Sequence, residues 1–502
     1  MTTATTPFLE RQLPLFWRVI GWLSASSIFY TLLTFLGGPA QGDASQSVYS
    51  TWALAHGRLS CVYPSLPPTH LVNLTSPTVF TAPLYPIFAG VVSFITRIGH
   101  ASTFPSARAL GPGCINAFPA MFHYASSSGA ITPTLRISYL LWPLLATAVI
   151  WLFGTSRPRA AVVALLALAL TPSLYACLTF YFHPEDILAL ALALAATAAL
   201  LKSRYALAGI LIALACCSQQ YALLVALPLL VLTPRPRRLR FALLALATLA
   251  VVDLPLVLVT HGRAIHSILV GSSRVDAIAH SYGGTLLYAT GASGTLLFFL
   301  ARIAPLLGAL LLTIYAARRF GSALLAPAPL LSLLAACLTL RLVFEENLFG
   351  YYFLAASVTL LLADLLRGHL RGTTLAWLGT LTLFFSPINT GYLANVTGHT
   401  SILYYALPVA ILVVTALAVL YDATKWRAQT YKLALLALAV LTVASNIQGR
   451  TGPLFNAPHW LFQLVLVPTA LTLAVRPLLA TPPSRETACV PATVAPGSAD
   501  TH

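Results

Sequence analysis

The residues able to do chemistry are gathered in a few short polar segments of a largely apolar chain. In GDASQSVYSTWALAHG, residues 42–57, Asp43 precedes Val48, Tyr49, Trp52 and Ala53 at helical spacing, with His56 near the end. The pattern predicts an amphipathic helix lying in the plane of a membrane interface. A carboxylate at its start can take a proton from a hydroxyl, or it can cap the helix, with Gln46 completing a capping box. Tyr181-Phe182-His183-Pro184-Glu185-Asp186 joins an imidazole to a pair of acids. Proline and acids suit a first helical turn, but capping leaves His183 unexplained. Arg341 is followed by Glu345, Glu346 and Asn347, then by Tyr351 and Tyr352. A lone Arg at the end of an apolar run either snorkels to the interface or holds an anion. The loop 261–284 spreads His261, Arg263, His266, Arg274 and His280. Such a set can grip a phosphate or simply stay solvated. No His/Cys/Asp cluster has metal-ligand spacing, and no P-loop or GxGxxG occurs, so no metal and no cofactor is expected.

The elements that must position these segments are helices in lipid. Of 502 residues, 58% are hydrophobic and 8% charged; a soluble domain has about 25% charged residues, so a water-facing globule is excluded. Apolar runs such as 15–36, 241–260 and 402–421 are each long enough to span ~30 Å of hydrocarbon. They are Leu- and Ala-rich without alternation, which fits helices rather than barrel strands. The expected fold is all-α, a polytopic transmembrane helix bundle of about 12–14 spans, with a long first external loop carrying interfacial helices. The formal charge of +16 sits in short loops between apolar runs. That is the positive-inside pattern and not a nucleic-acid surface.

Topology follows from those charges. Basic clusters at Arg11/Arg18, Arg157/Arg159, Lys202/Arg204, Arg235–Arg240, Arg318/Arg319, Arg367/Arg371, Lys425–Lys432 and Arg476/Arg485 mark the cytoplasmic side, where both termini are expected. An even number of crossings must separate each pair of clusters. Residues 79–98 therefore stay on the outer side, and 37–135 forms one external loop. The run 205–233 has basic residues at both ends and is short for a pair of spans, so it reads as a hairpin turning at Gln219 and Gln220. Asp253 is expected to face the bundle interior. Residues 1–370 read as the principal module, 371–476 as additional transmembrane helices, and 477–502 as a disordered cytoplasmic tail. On this topology all of the 12 His except His369 and His502 are outer, as are Asp43, Glu185, Asp186, Asp276, Glu345 and Glu346, half of the 12 acids. The chemistry is placed there. Cys61 and Cys114 are the outer cysteines among the seven, and a disulfide between them is expected because thiols are not kept reduced on that side.

Several blocks carry a resemblance: Asp43 just after the first apolar run, VYSTWALAHG, Tyr63-Pro64, TAPLYPIF, HPEDILALALAL, YALAGILIALACCSQQYALLVALPLL and RLVFEENLFGYYF. In this order, over about residues 15–370, the chain resembles the GT-C class of polytopic glycosyltransferases, especially actinobacterial mannosyl- and arabinofuranosyltransferases. The neighbours of Asp43 are Gly42 and Ala44, whereas some members have a second acid there, which leaves the role of Asp43 open. The resemblance implies transfer of a sugar, mannose or arabinofuranose, from a polyprenyl-phosphate donor to a cell-envelope glycan or glycolipid acceptor, with inversion. Asp43 would be the general base. Arg341, His183, Arg263 and Arg274 would face the donor phosphate. Tyr49, His56, Glu185, Asp186, Glu345 and Tyr352 would contact the substrates. Phosphate is a good leaving group, so the reaction needs a base for the acceptor hydroxyl and donors for the departing oxygen, with no added cofactor. The alternative is a transporter or flippase of lipid-linked sugars. It would share the spans and the Arg residues, would need no base, and finds some support in the short helices at 205–233.

Overall fold

The computed structural model describes residues 6–36, 47, 50–51, 53–54, 57–63, 82–96, 136–153, 158–265, 302–344, 350–368, 370–384 and 467–479. Every regular element among them is helical. Five of these helices are long and apolar enough to cross a membrane, or six if one bent pair counts as a single span. Most of the C-terminal spans expected between 385 and 466, the tail after 479, and Asp43, Tyr49, His56, Cys114, Arg274 and Glu345 lie outside the described residues.

Helix α1 (Thr6–Leu36) runs unbroken. Helix α2 (Leu84–Thr96) has 13 residues, about 20 Å at 1.5 Å per residue, and so falls short of a ~30 Å hydrocarbon core. Helices α3 (Leu141–Phe153) and α4 (Pro158–Ala169) follow, and α4 packs along α1. Pro172 cannot donate to the preceding turn; there the chain bends by 51° into α5 (Pro172–Tyr175) and then loosens into a π-helical turn over Ala176–Tyr181. Helix α6 (Pro184–Leu201) is Ala and Leu on all sides, and almost all of it is buried. An all-round apolar helix has that fate in a bundle, and α6 is packed by α3 and by α7 (Tyr205–Ser218).

After α7 come a 3₁₀ turn at Gln220–Ala222, α8 (Leu223–Leu232) and α9 (Arg235–Val259). Gly209 on α7 lies against Phe241 on α9, and Cys217 reaches Asp253 further along both helices. Thus α7 and α9 run the same way, and α8 between them runs back. The hairpin at Gln219 and Gln220 is present, and Asp253 faces α7 as expected. Helices α10 (Ala304–Phe320), α11 (Pro327–Phe344), α12 (Leu354–Arg367), α13 (Arg371–Phe384) and α14 (Val467–Leu479) complete the described bundle. Helix α14 packs on α11 and α13, so the described C-terminal helices join the same core. It also continues through Pro477 to Leu479, past the boundary expected at 477. Its buried row Val467, Ala470, Ala474 and Leu478 carries the helix beyond the Pro-rich composition that suggests a tail.

Basic side chains collect at one end of these helices. Lys202 lies 5.2 Å from the Trp151 ring centre. Arg238 donates from Nε to the Thr233 carbonyl at 2.8 Å. Arg319 donates to the Leu479 carbonyl at 2.8 Å, and Arg367 to the Ala328 carbonyl at 3.3 Å. Thr233 and Leu479 close α8 and α14, and cations satisfy such last carbonyls and suit the negative end of the dipole. At the opposite end of α6, about 27 Å away at 1.5 Å per residue, stands His183.

The α7–α9 crossing depends on a missing side chain. A Cβ at Gly209 would sit 2.7 Å from the Phe241 carbonyl oxygen, whereas one at Gly90 on α2 would meet nothing within 4 Å. Gly209→Ala should therefore lower the melting temperature in detergent, at a cost of about 1–3 kcal/mol. Gly90→Ala should leave it unchanged or raise it slightly. Equal melting of the two variants would contradict the close crossing.

Candidate functional site

The polar segment around His183 is delivered by unusual backbone. The π-helical turn ends on Phe182 in the left-handed region, φ 55° and ψ 64°. That conformation costs a non-glycine residue about 1–2 kcal/mol and persists only where the surroundings fix it; the Phe182 ring is fully buried. Pro184 then takes the first helical position of α6, where no N–H is needed. His183 is locked in the reversal by two bonds with Cys177: its N–H donates to the Cys177 carbonyl at 2.8 Å, and the Cys177 thiol donates to the His183 carbonyl at 2.8 Å.

This turn folds the imidazole over the acids that follow it. His183 Nδ1 lies 2.7 Å from Glu185 Oε1. Glu185 and Asp186 are 1% and 3% exposed, inside an apolar bundle. Burying carboxylates is costly unless they are paired, and the positive end of the α6 dipole offsets only part of that cost. The α7–α8 turn supplies more. Ser218 Oγ donates to the Glu185 carbonyl at 2.8 Å, the Tyr221 hydroxyl to the Asp186 carbonyl at 2.6 Å, and Gln219 Nε2 to Asp186 Oδ2 at 3.4 Å. Arg341, at the end of α11, lies within electrostatic reach of Asp186. Its guanidinium carbon is 4.8 Å from the Tyr352 ring centre and 5.8 Å from that of Tyr221, distances of cation–π contact. A 3₁₀ turn at Gly350–Phe353 brings up Tyr351, which stacks on the His183 ring at 4.1 Å and 13°. Tyr352 meets Tyr351 edge-on at 4.5 Å.

Among the described residues, Glu185 Oε2 is buried with no hydrogen-bond partner, and so is the Tyr85 hydroxyl. Tyr85 stands at the start of α2, which packs on both α6 and α7. Burial pushes its phenol well above the usual value, and the charge of Glu185 adds to the rise. The nitrogens of His183 and the oxygens of Glu185 and Asp186 offer ligand atoms that all lie within 4.8 Å of one another. No metal-ligand spacing is visible in the linear segment, because the Phe182 reversal is what brings His183 back over Glu185.

Of the expected site residues, His183, Glu185, Asp186, Arg341 and Tyr352 come together here. Arg341 does not snorkel away from the protein but lies over tyrosines. Arg263 has a different contact: its Nε donates to the Tyr63 carbonyl at 3.3 Å. Cys61 is disulfide-bonded; its partner is outside the described residues, as Cys114 is. The stretch after Asp43 is helical at Ser47, Ser50, Thr51, Ala53 and Leu54. Of the expected apolar row, Ala53 is buried, and Val48, Tyr49 and Trp52 lie outside the described residues. Ser47, Ser50 and Thr51 form one row at helical spacing, they are buried, and their hydroxyls have no hydrogen-bond partner. Ser218, Gln219, Tyr221, Tyr351 and Tyr85 are site residues that sequence reasoning did not assign. Gln219 could have been found, as an amide between two short apolar helices, but Tyr85 in an apolar run carries no such signal. No protein-family model matches the chain, and no curated protein matches it.

A buried carboxylate oxygen without a donor destabilises the fold, by about 1–3 kcal/mol or more for a charged group. Glu185→Gln keeps the shape and removes the charge. In buffer containing EDTA it should raise the melting temperature of the purified protein by a few degrees. A lower melting temperature would mean that the Glu185 charge is kept for stability.

Proposed function

We propose that this protein is a membrane glycosyltransferase that moves a sugar from a polyprenyl-phosphate donor to a cell-envelope glycan or glycolipid. The observation that carries this reading is the convergence of His183, Glu185, Asp186, Arg341, Tyr351 and Tyr352 at one end of an apolar bundle. A scaffold gains nothing from a buried carboxylate with one oxygen left without a donor, whereas active sites retain such costly groups. By the positive-inside rule the basic end faces the cytoplasm, and the cluster then faces the outer side. A polyprenyl tail can lie along the bundle in lipid with its phosphate at that level.

In this reading the Arg341 guanidinium binds the donor phosphate, for which its planar fork is suited. His183 faces the same phosphate, with Glu185 Oε1 2.7 Å from its Nδ1. Tyr351 and Tyr352 offer flat faces to the sugar. Asp43, by its place after α1, remains the proposed base. It takes the proton of the acceptor hydroxyl as the acceptor oxygen forms its bond to the anomeric carbon. The bond from that carbon to the phosphate oxygen breaks, its electron pair leaves with the polyprenyl phosphate, and the configuration inverts.

The test is incubation of purified protein with polyprenyl-phosphate mannose or polyprenyl-phosphate arabinofuranose and a panel of glycan acceptors. Transfer is expected with one donor. Arg341→Lys, which keeps the charge and loses the fork, should raise the KM for the donor by about tenfold and leave that for the acceptor nearly unchanged. Asp43→Asn should abolish transfer without changing the melting temperature. No transfer from either donor, or equal effects of Arg341→Lys on both substrates, would count against the reading.

A further inference from the structure

An anionic donor meets the carboxyl groups of Glu185 and Asp186 at this cluster, with the Arg341 guanidinium within electrostatic reach of Asp186. A carboxylate and a phosphodiester close together in a medium of low polarity repel strongly, and a cation between them removes that repulsion.

The geometry points to a divalent cation, of the Mn²⁺ or Mg²⁺ type, held by His183, Glu185 and Asp186 and offering its free positions to the donor phosphate. With metal–ligand bonds of about 2.1 Å, adjacent ligand atoms of an octahedral ion lie ~3 Å apart and opposite ones ~4.2 Å, or ~4.8 Å for longer bonds. The His183 to Glu185 separation of 2.7 Å is close to the adjacent spacing, and the whole set falls within 4.8 Å. Glu185 Oε2, buried and without a donor, is a second and independent sign: an acceptor shut off from water is available to something that is not protein. One imidazole and two carboxylates form an oxygen-rich set suited to these ions. The His183 side chain keeps 20% of its surface exposed, so the site is open on that side. Three protein ligands with an open side are the arrangement of a metal that takes substrate, not of a closed structural site. The cation would lie between the carboxyl groups and the phosphate and offset their repulsion. What the ion does in this scheme rests on the donor-site reading; that the ion binds does not.

The probe is Mn²⁺ added to full-length protein stripped with EDTA, in nanodiscs of zwitterionic lipid, with free Mn²⁺ followed by its electron paramagnetic resonance. One ion per chain should bind, and pulsed spectra of the wild type should show coupling to a nitrogen, which His183→Gln removes. Glu185→Gln and His183→Gln should each weaken binding by roughly tenfold or more, with melting curves confirming that both variants are folded. Absence of binding at millimolar Mn²⁺, absence of nitrogen coupling in the wild type, or binding indifferent to both substitutions would overturn the site. Binding as described with no sugar transfer would uphold the site and count against the transferase. Full transfer in EDTA by protein that binds no Mn²⁺ would do the reverse.

Discussion

Taking the carboxylates of Glu185 and Asp186 out of water at the end of an apolar bundle costs several kcal/mol per ion, and much of the surrounding architecture acts to offset that cost. The positive end of α6 lies beneath the two acids. The α7–α8 turn gives up Ser218, Gln219 and Tyr221 to their carbonyls and to one carboxylate. Helix α11 ends where Arg341 can reach Asp186. Even so, Glu185 Oε2 has no hydrogen-bond partner among the described residues. The constraint therefore explains why irregular elements converge at this end.

The irregular backbone has a common logic. Bent or short helices in lipid must still satisfy their backbone groups. Here the bend at Pro172, the π-helical turn before Phe182, the extended Gln219 and the 3₁₀ turn before α12 all sit where protein surrounds them. Helix α9, by contrast, leaves Leu239, Leu243, Leu246, Val251 and Leu258 exposed.

Much of this was legible in the sequence, for reasons that differ by residue. His183-Pro184-Glu185-Asp186 stood out because polar groups between apolar runs have few structural uses. The hairpin at Gln219 followed from basic residues at both ends of a run too short for two spans. Arg341 and Tyr352 were visible as polar and aromatic residues closing an apolar run. The mutual approach of His183, Glu185 and Asp186 was not legible, because it depends on a left-handed Phe182, and no propensity rule assigns that conformation to phenylalanine. Tyr85 looked like packing, since nothing local reports that its hydroxyl lies near Glu185. In the helix after Asp43 the burial of Ser47, Ser50 and Thr51 was not legible, because sequence pattern does not say what covers a helix.

The central claim is that a lipid-linked phosphate sits at the His183–Arg341 cluster. It is tested most directly by photo-crosslinking with a polyprenyl phosphate that carries a diazirine next to the phosphate, followed by peptide mapping of the protein in native membranes. Labels are expected on peptides containing Phe182–Asp186, Ser218–Tyr221 and Arg341–Phe353, competed away by unlabelled polyprenyl phosphate. Labelling confined to the basic end, around Arg235–Arg240 or Arg318 and Arg319, would contradict the account.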